Sequence, residues 1–596
     1  MCGIAGIYHF ACASPVDPSL IDRMNAAQEY RGPDDGGTFV NDRIGFGNRR
    51  LAIRDRAHGH QPMCNADSTV WITYNGEVFN DAELRTELQG LGYEFRTACD
   101  TEVVLHAYEA YGERCVDRLN GQFAFGVWDV RLSKLFLARD RLGIAPLHYA
   151  VQNGRFIFAS EAKAIFGLPA FEPAIDHEAI AESLLCGTLF GGRTMFRGVE
   201  SLPPGHRMTV SPTGCSLAKY WDIPLRPEAA AGGAESYYSD RILPLLEDAL
   251  RLRMAGDVPW GLMLSGGTDS STLATLASRL SSEPVQTFTI DFPNPWKGTN
   301  LDAHYAGVVA REIHSRHFEF MTRPDDYYAT LERVTWHVER PFNKGASTMY
   351  LLYKQIKEHA TVVITGEGAD ELFAGYVGER GLGLDAVLQR GAITEFPWAA
   401  YWGVTERLFN EDFRRKVRPA EIFRQRLADA LPADDNGDVL NGALYLYTKY
   451  FLLELLELHD RTSLASGVEA RLPFIDHRLV ELLSPMPSHL KVRDGQTKYV
   501  FKQVIRNLLP PAVIQRKKTP LPIPRDPETL RRQLQLTREL LTEPGARTAA
   551  YYDVPSVLDF LDNTNEFAGV DALCVWKVSM YLLTLELLHR VFRLSA

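Results

Sequence analysis

The hydrophobic rhythm of the chain changes once, and that change limits the possible fold more than any other feature. Residues 1 to about 215 read as strands joined by tight turns. "VWITYNGEVFN" (70 to 80) alternates inward and outward positions and carries a turn signal at Asn75-Gly76, and "GQFAFGVWDV" (121 to 130) is an apolar strand rich in aromatics. "KLFLARDRLG" and "PLHYAVQNGRFIFAS" follow, the second with another Asn-Gly turn at 153 and 154. Helical patterns near 17 to 28 and 80 to 91 interrupt the strands, so this half is expected to be an α+β unit rather than a pure sandwich.

Around "PEAAAGGAES" (227 to 236) the composition becomes small and polar, as a linker does. Beyond it, "PWGLML" (259 to 264), "VQTFTI" (285 to 290) and "TVVIT" (361 to 365) are short apolar runs that alternate with helix-length segments, the pattern of a parallel α/β sheet. After about residue 440 the pattern is mainly helical, strongest in "LYTKYFLLELLELHDR" and "VWKVSMYLLTLELLHRVF". A chain of 596 residues is too long for one core, and the expected division is 1–215 and 216–596.

Composition removes several function classes. A net charge of -11 is small for this length and argues against a nucleic-acid surface or an anionic membrane as the main partner. No uncharged apolar tract reaches the roughly 18 residues that a membrane span needs. Cysteines stand at 2, 12, 64, 99, 115, 186, 215 and 574, with no CxxC pair, which gives neither a common zinc pattern nor a disulfide framework and points to a reducing cytoplasm. The opening "MCGIAGIYHFACAS" has the small residues of a secretory cleavage site, but His9 interrupts the apolar run and no Lys or Arg precedes Arg23.

Two loops suit a nucleotide. "LMLSGGTDSS" (262 to 271) runs from a strand through Ser265, Gly266 and Gly267 into a helix expected near Ser270. Glycines let backbone amides turn toward an anion and the helix start adds partial positive charge, although a plain tight turn uses the same residues. "TVVITGEGADELFAGY" (361 to 376) crowds Glu367, Asp370 and Glu371 into the second loop. That charge would repel a bare pyrophosphate, but it suits one that carries a magnesium ion. Both loops would lie at the carboxyl ends of sheet strands, where open α/β folds bind ligands, so the pair suggests Mg-ATP chemistry.

These residues carry a family resemblance over nearly the whole chain. The "SGGTDS" loop, "GEGADELFAGY" and "HDRTSLASGVEARLPFID" (459 to 476) resemble stretches of glutamine-dependent asparagine synthetases. "MCGIAGI", "YRGPDD" (30 to 35), "GHQPM" (59 to 63), "YNGEVFN" and "CDTEVV" (99 to 104) resemble a class II glutamine amidotransferase domain. The resemblance implies an αββα glutaminase of the N-terminal-nucleophile type, followed by a parallel-sheet α/β ATP-pyrophosphatase domain with a helical C-terminal part. It implies glutamine, ATP and aspartate or another carboxylic acid as small-molecule partners, with Mg2+ as cofactor, and a homodimer is compatible with it.

The same resemblance assigns the site. With Met1 removed, Cys2 would carry a thiol and the free α-amine, whose ordinary pKa near ~8 lets it act as the nucleophile's own base. Arg50 would hold the glutamine carboxylate beside Ile53, and Glu77 and Asp100 its amino end. Asn75 and the Gly76 backbone would supply oxyanion donors, worth roughly 3 to 4 kcal/mol each. On the synthetase side Leu264, Ser265, Gly266, Gly267, Asp269, Ser270, Ile290, Thr365 and Gly366 would surround ATP, with Asp269 and Asp370 on the metal. Glu367 matches the acidic position used to form the acyl adenylate, and Lys498 of "GQTKYVFK" (495 to 502) the family's essential lysine. The implied reaction amidates aspartate through an aspartyl adenylate and releases AMP and pyrophosphate. Asn48, Ala52, Ala145 and the run Thr519-Pro520-Leu521-Pro522 depart from the usual pattern, which leaves open an acceptor such as a peptide or a secondary metabolite.

Overall fold

The structure, a computed structural model, describes residues 1–12, 14–169, 171–226, 234–292, 301–342, 345–376, 406–430, 438–516, 527–562 and 572–594. The core of the linker at 227–233 and the run Thr519 to Pro522 lie outside those residues.

Two six-stranded sheets make the amino-terminal half. The first contains β1 (Gly3–His9), β2 (Asp35–Asn41), β3 (Ile44–Arg50), β8 (His148–Gln152), β9 (Arg155–Ala159) and β10 (Glu200–Ser201), in the order β10-β8-β9-β1-β3-β2. The second contains β4 (Met63–Cys64), β5 (Val70–Val78), β6 (Gly121–Asp129), β7 (Lys134–Arg139), β11 (His206–Ser211) and β12 (Gly214–Lys219), in the order β12-β11-β7-β6-β5-β4. Alternation along β1 sends Ile4 and Tyr8 into the space between the sheets, where they join Ala124, Trp128 and Leu137 of the second. Ala5 and Ile7 point the other way, onto Ile21 and Met24 of the helix Pro18–Ala27. On the far side, helices Asp81–Gly90 and Asp100–Tyr111 cover Val70, Ile72 and Tyr74 with Leu84, Val103 and Val104. The layers therefore run helix, sheet, sheet, helix, as expected.

The turn expected at Asn75-Gly76 is absent. β5 passes straight through, with Asn75 opposite Ala124 and Gly76 opposite Phe123. A turn dipeptide is a local signal, and here nine consecutive residues paired with β6 override it. Glycine is needed for another reason: a Cβ at residue 76 would lie 2.2 Å from the Gln122 carbonyl oxygen. The second Asn-Gly pair does turn, with Asn153 at φ 52° and Gly154 at φ 72° between the paired residues Gln152 and Arg155.

The second half is built on an all-parallel sheet of β13 (Trp260–Met263), β14 (Gln286–Asp291), β15 (Arg316–Met321), β16 (Val362–Ile364) and β17 (Glu469–Arg471), in the order β15-β14-β13-β16-β17. The helix after β13 spans Thr268–Leu280, starting within two residues of Ser270 as expected. β13 and β16 are neighbours, so the two loops leaving their carboxyl ends share one crevice. The helical part contains Val439–Leu446, a π turn over Tyr447–Phe451, then Leu452–Leu464, and later Ala572–Val591. All eight cysteines are unpaired, and among the described residues no helix is long and apolar enough to cross a membrane.

β17 also seals the joint between the halves. Glu469 takes the Met1 ammonium, Arg471 lies 3.3 Å from Glu77, and the Ala470 carbonyl accepts from Gln122 Nε2 at 3.2 Å.

Candidate active sites

Cys2 stands at the head of β1, enclosed between the halves and 5% exposed. Its backbone N–H donates to Asn75 Oδ1 at 2.6 Å, and its carbonyl accepts from Arg31 Nε at 3.0 Å. Burial pushes the Cys2 thiol pKa up, and the chain's charged amine, the Leu51 N–H and Arg50 pull the other way without cancelling it. A thiol so placed needs a base at hand before it can attack. The other end of the Asn75 side chain, Nδ2, is buried with no hydrogen-bond partner. A buried unpaired donor costs about 1–3 kcal/mol, which a ligand oxygen beside Cys2 would recover.

Arg50, Ile53, Glu77 and Asp100 are all buried close by. Arg50 at the end of β3 donates through Nη2 to the carbonyls of Arg54 (2.8 Å) and Asp55 (2.9 Å), which shapes the loop that carries Ile53. Asp100, first residue of its helix, accepts from the Tyr74 hydroxyl (2.7 Å) and the Val78 N–H (2.9 Å). Glu77 is paired with Arg54, and Arg54 reaches Asp81 at 2.7 Å. Burial raises the Glu77 pKa to about 8 even though Arg471 and Arg54 oppose it, and the nearby Asp100 and Glu469 charges add to the rise.

The nucleotide loops meet in the second half. The Ser265 N–H donates to Ser270 Oγ at 3.2 Å, and Gly267 N–H reaches Ser265 Oγ at 3.4 Å. Gly266 holds φ at 69°, and a Cβ there would lie 2.4 Å from the Ala306 backbone nitrogen. Leu264 and Ile290 are buried, and Leu264 N–H is fixed to the Phe288 carbonyl at 2.8 Å. Across the crevice Thr365 N–H donates to the Arg471 carbonyl at 3.0 Å, and Gly366 lies against the backbone of Asp269 and Ser270. Asp370 is buried, whereas the Glu367 side chain is 36% exposed.

Lys498 ties these parts together. It adopts φ 56°, and its Nζ lies 2.7 and 2.6 Å from the Asp269 oxygens and 2.5 Å from Asp370 Oδ1. Two carboxylates thus converge on one cation. Among the described residues no group of three or more His, Cys, Asp or Glu side chains is arranged to hold a metal unaided. An oxygen-only pair fits magnesium, which takes one or two carboxylates and completes its shell with phosphate oxygens and water.

Sequence reasoning missed several participants. Arg516 donates to the Ser265 carbonyl at 2.7 Å and pairs with Asp302, so it braces the glycine loop from outside. Arg54 stands on Glu77, and Arg31 on Cys2. Arg31 lay inside the quoted "YRGPDD", where the motif was the only signal. Arg516 opens the R-x-K run of "QRKKTPLPIP" (515 to 524), whereas Arg54 has no periodic or spacing signal.

An αββα sandwich that buries a cysteine at the head of its first strand, joined to a parallel sheet with a glycine loop and an acidic loop in one crevice, defines a glutamine-hydrolysing, ATP-dependent ligase. A family model described as asparagine synthase matches residues 241–590, and one described as glutamine amidotransferase domain matches 1–221. The chain belongs to the asparagine synthase family. It is similar to asparagine synthetase [glutamine-hydrolyzing] 3 of Bacillus subtilis, 31% identical over 550 residues that cover 89% of this chain and 88% of the relative. Asparagine synthetase [glutamine-hydrolyzing] 1 of the same organism is 28% identical over 620 residues, 98% of this chain and 96% of its own. Asparagine synthetase [glutamine-hydrolyzing] 2 of Oryza sativa subsp. japonica is 30% identical over 526 residues, 85% and 73% respectively.

Proposed function

We propose that the chain is a glutamine-dependent asparagine synthetase of two domains, 1–215 and 216–596, working in the cytoplasm. The observation that carries the reading is the pair of built sites: Cys2 against Asn75 in one half, and Lys498 across Asp269 and Asp370 in the other.

At the first site, loss of Met1 turns the Cys2 amide into an amine that takes the thiol proton. Sγ then attacks the glutamine amide carbon, with the oxyanion held by Asn75 Nδ2 and the Gly76 N–H. The C–N bond breaks, ammonia leaves with the proton carried by the amine, and water clears the thioester. Arg50 and Ile53 take the carboxylate end of glutamine, and Asp100 its ammonium together with Glu77, which the incoming positive charge would favour in its ionised form.

At the second site, the aspartate carboxylate attacks the α-phosphate of ATP and pyrophosphate leaves. Leu264, Ser265, Gly266, Gly267, Ser270, Ile290, Thr365 and Gly366 hold the nucleotide. Lys498 meets the charge that builds on the departing phosphates. When magnesium is bound, Asp269 and Asp370 would hold it, and it would neutralise phosphate charge. Glu367 stands at the opening, where it serves formation of the acyl adenylate; ammonia then attacks that intermediate, AMP departs, and the Glu367 carboxylate takes the proton that ammonia loses. Ammonia is a nucleophile only while unprotonated, so its route should stay sheltered along the buried joint between the halves.

Pyrophosphate release with glutamine and ATP, compared between aspartate and a panel of other carboxylic acids, tests this reading. Aspartate should give the largest rate. A background rate with aspartate beside a strong rate with another acid would assign the same machinery to that acid.

A further inference from the structure

His459 lies in the helix Leu452–Leu464, in neither loop of the nucleotide site, yet its imidazole faces that site. It is 4% exposed. Its Nδ1 lies 2.5 Å from the Tyr353 hydroxyl, and its Nε2 lies 3.5 Å from Glu367 Oε1. Tyr353 is fully enclosed in the helix Ala346–Ile356. We propose that His459 is a positioning residue for Glu367: the Tyr353 hydroxyl donates to Nδ1, which leaves Nε2 protonated and aimed at the carboxylate. The inference rests on the role given to Glu367 above.

For a neutral ring the geometry favours one arrangement, because an Nε2 lone pair aimed at the Glu367 carboxylate would repel it whereas an Nε2–H is attracted. A neutral imidazole carries a proton on one nitrogen only, and the partner of the other nitrogen decides which. Burial, with the nearby Glu367 and Asp460 charges, raises the Tyr353 pKa well above its ordinary value, so the hydroxyl keeps a proton to give. With Nδ1 filled as an acceptor, Nε2 must be the N–H, and an N–H facing a carboxylate favours the ionised form of Glu367 and fixes its direction. The 3.5 Å separation is long for a hydrogen bond, as catalytic contacts are before substrate closes the site.

Two variants separate the contacts. Gln at 459 can place an amide N–H where Nε2 stands, whereas Asn reaches only the Nδ1 position. His459→Asn should lower kcat for ammonia-driven pyrophosphate release by at least about tenfold and move the acid limb of its pH profile upward. Glutamine hydrolysis should stay within about twofold, which shows that the fold is intact, and His459→Gln should recover the rate to within about threefold. A second readout needs no turnover: 15N spectra of histidine-labelled protein should show a proton on Nε2 of His459 and an accepting Nδ1, and Tyr353→Phe should change that pattern. An Nδ1-protonated ring, or His459→Asn and His459→Gln both matching the parent, would overturn the proposal. A parent enzyme that releases no pyrophosphate with any acid would refute the reading of the site instead, and the tautomer would still decide the placement of His459.

Discussion

Arg31 and Asp460 meet as a two-pronged ion pair across the joint between the halves, Nη1 to Oδ2 at 2.8 Å and Nη2 to Oδ1 at 3.0 Å, both side chains fully buried. Around them Glu161, Lys163, Glu339 and Arg461 complete a network in which each cation faces a carboxylate. Arg31 Nε holds the Cys2 carbonyl, so the pair links the glutamine end to the helix that also carries His459.

Removing Asp460 takes the two-pronged partner from a buried guanidinium that keeps Glu161 at 2.9 Å. Asp460→Ala should therefore cost about 3 kcal/mol of stability, measured as a shift in the denaturant midpoint. Replacing both partners by apolar residues of similar volume should restore much of the loss. A shift below about 1 kcal/mol for the single variant would mean that the network is hydrated.

Asn75 serves at both ends, Oδ1 on the Cys2 N–H and Nδ2 unpaired. Asn75→Ala should reduce glutamine-driven amide formation by about 10²–10³-fold, with ammonia-driven formation within about twofold. Equal losses with both nitrogen donors would take Asn75 out of the oxyanion role.

Glu77 has a folded-state pKa of about 8 against an ordinary 4.5. Between those values the folded protein holds a proton that the unfolded chain has lost, so this group's contribution to stability is complete below pH 4.5 and falls away as the pH rises through about 8. Arg54, Arg471, Asp100 and Glu469 surround it and remain in the variant. Glu77→Gln should flatten the pH dependence of the melting temperature in that window. Parallel curves for the two proteins would contradict the shift.

Lys498 separates Asp269 from Asp370, and without it two buried carboxylates face each other. Lys498→Met should lower acid-dependent pyrophosphate release by at least about 10²-fold and leave glutamine hydrolysis unchanged. An unchanged pyrophosphate rate would reduce Lys498 to a structural ion pair.

The parallel sheet was legible in the hydrophobic rhythm and the layer order through the family motifs, and the residues proposed for both sites came from those motifs alone. β6 announces itself by a continuous apolar run, and β14 by its β-branched and aromatic residues. β15 and β17 do not: "RHFEFM" is half exposed and charged, and "EAR" owes its strand to β16 beside it. The Asn75-Gly76 signal misled because a dipeptide cannot register the long pairing that holds it extended. Arg31, Arg54, Arg516 and His459 have partners distant in the chain, and no local pattern encodes a contact between residues 31 and 460.

If nitrogen is released at Cys2 and used at a separate site, Cys2→Ala separates the two steps directly. Amide formation should be measured with ATP and the accepted acid, first with glutamine and then with ammonium at a pH that supplies free ammonia. The glutamine-driven rate should fall to background while the ammonia-driven rate stays within about twofold of the parent. Loss of both rates in a variant that folds normally, or survival of the glutamine-driven rate, would contradict the account.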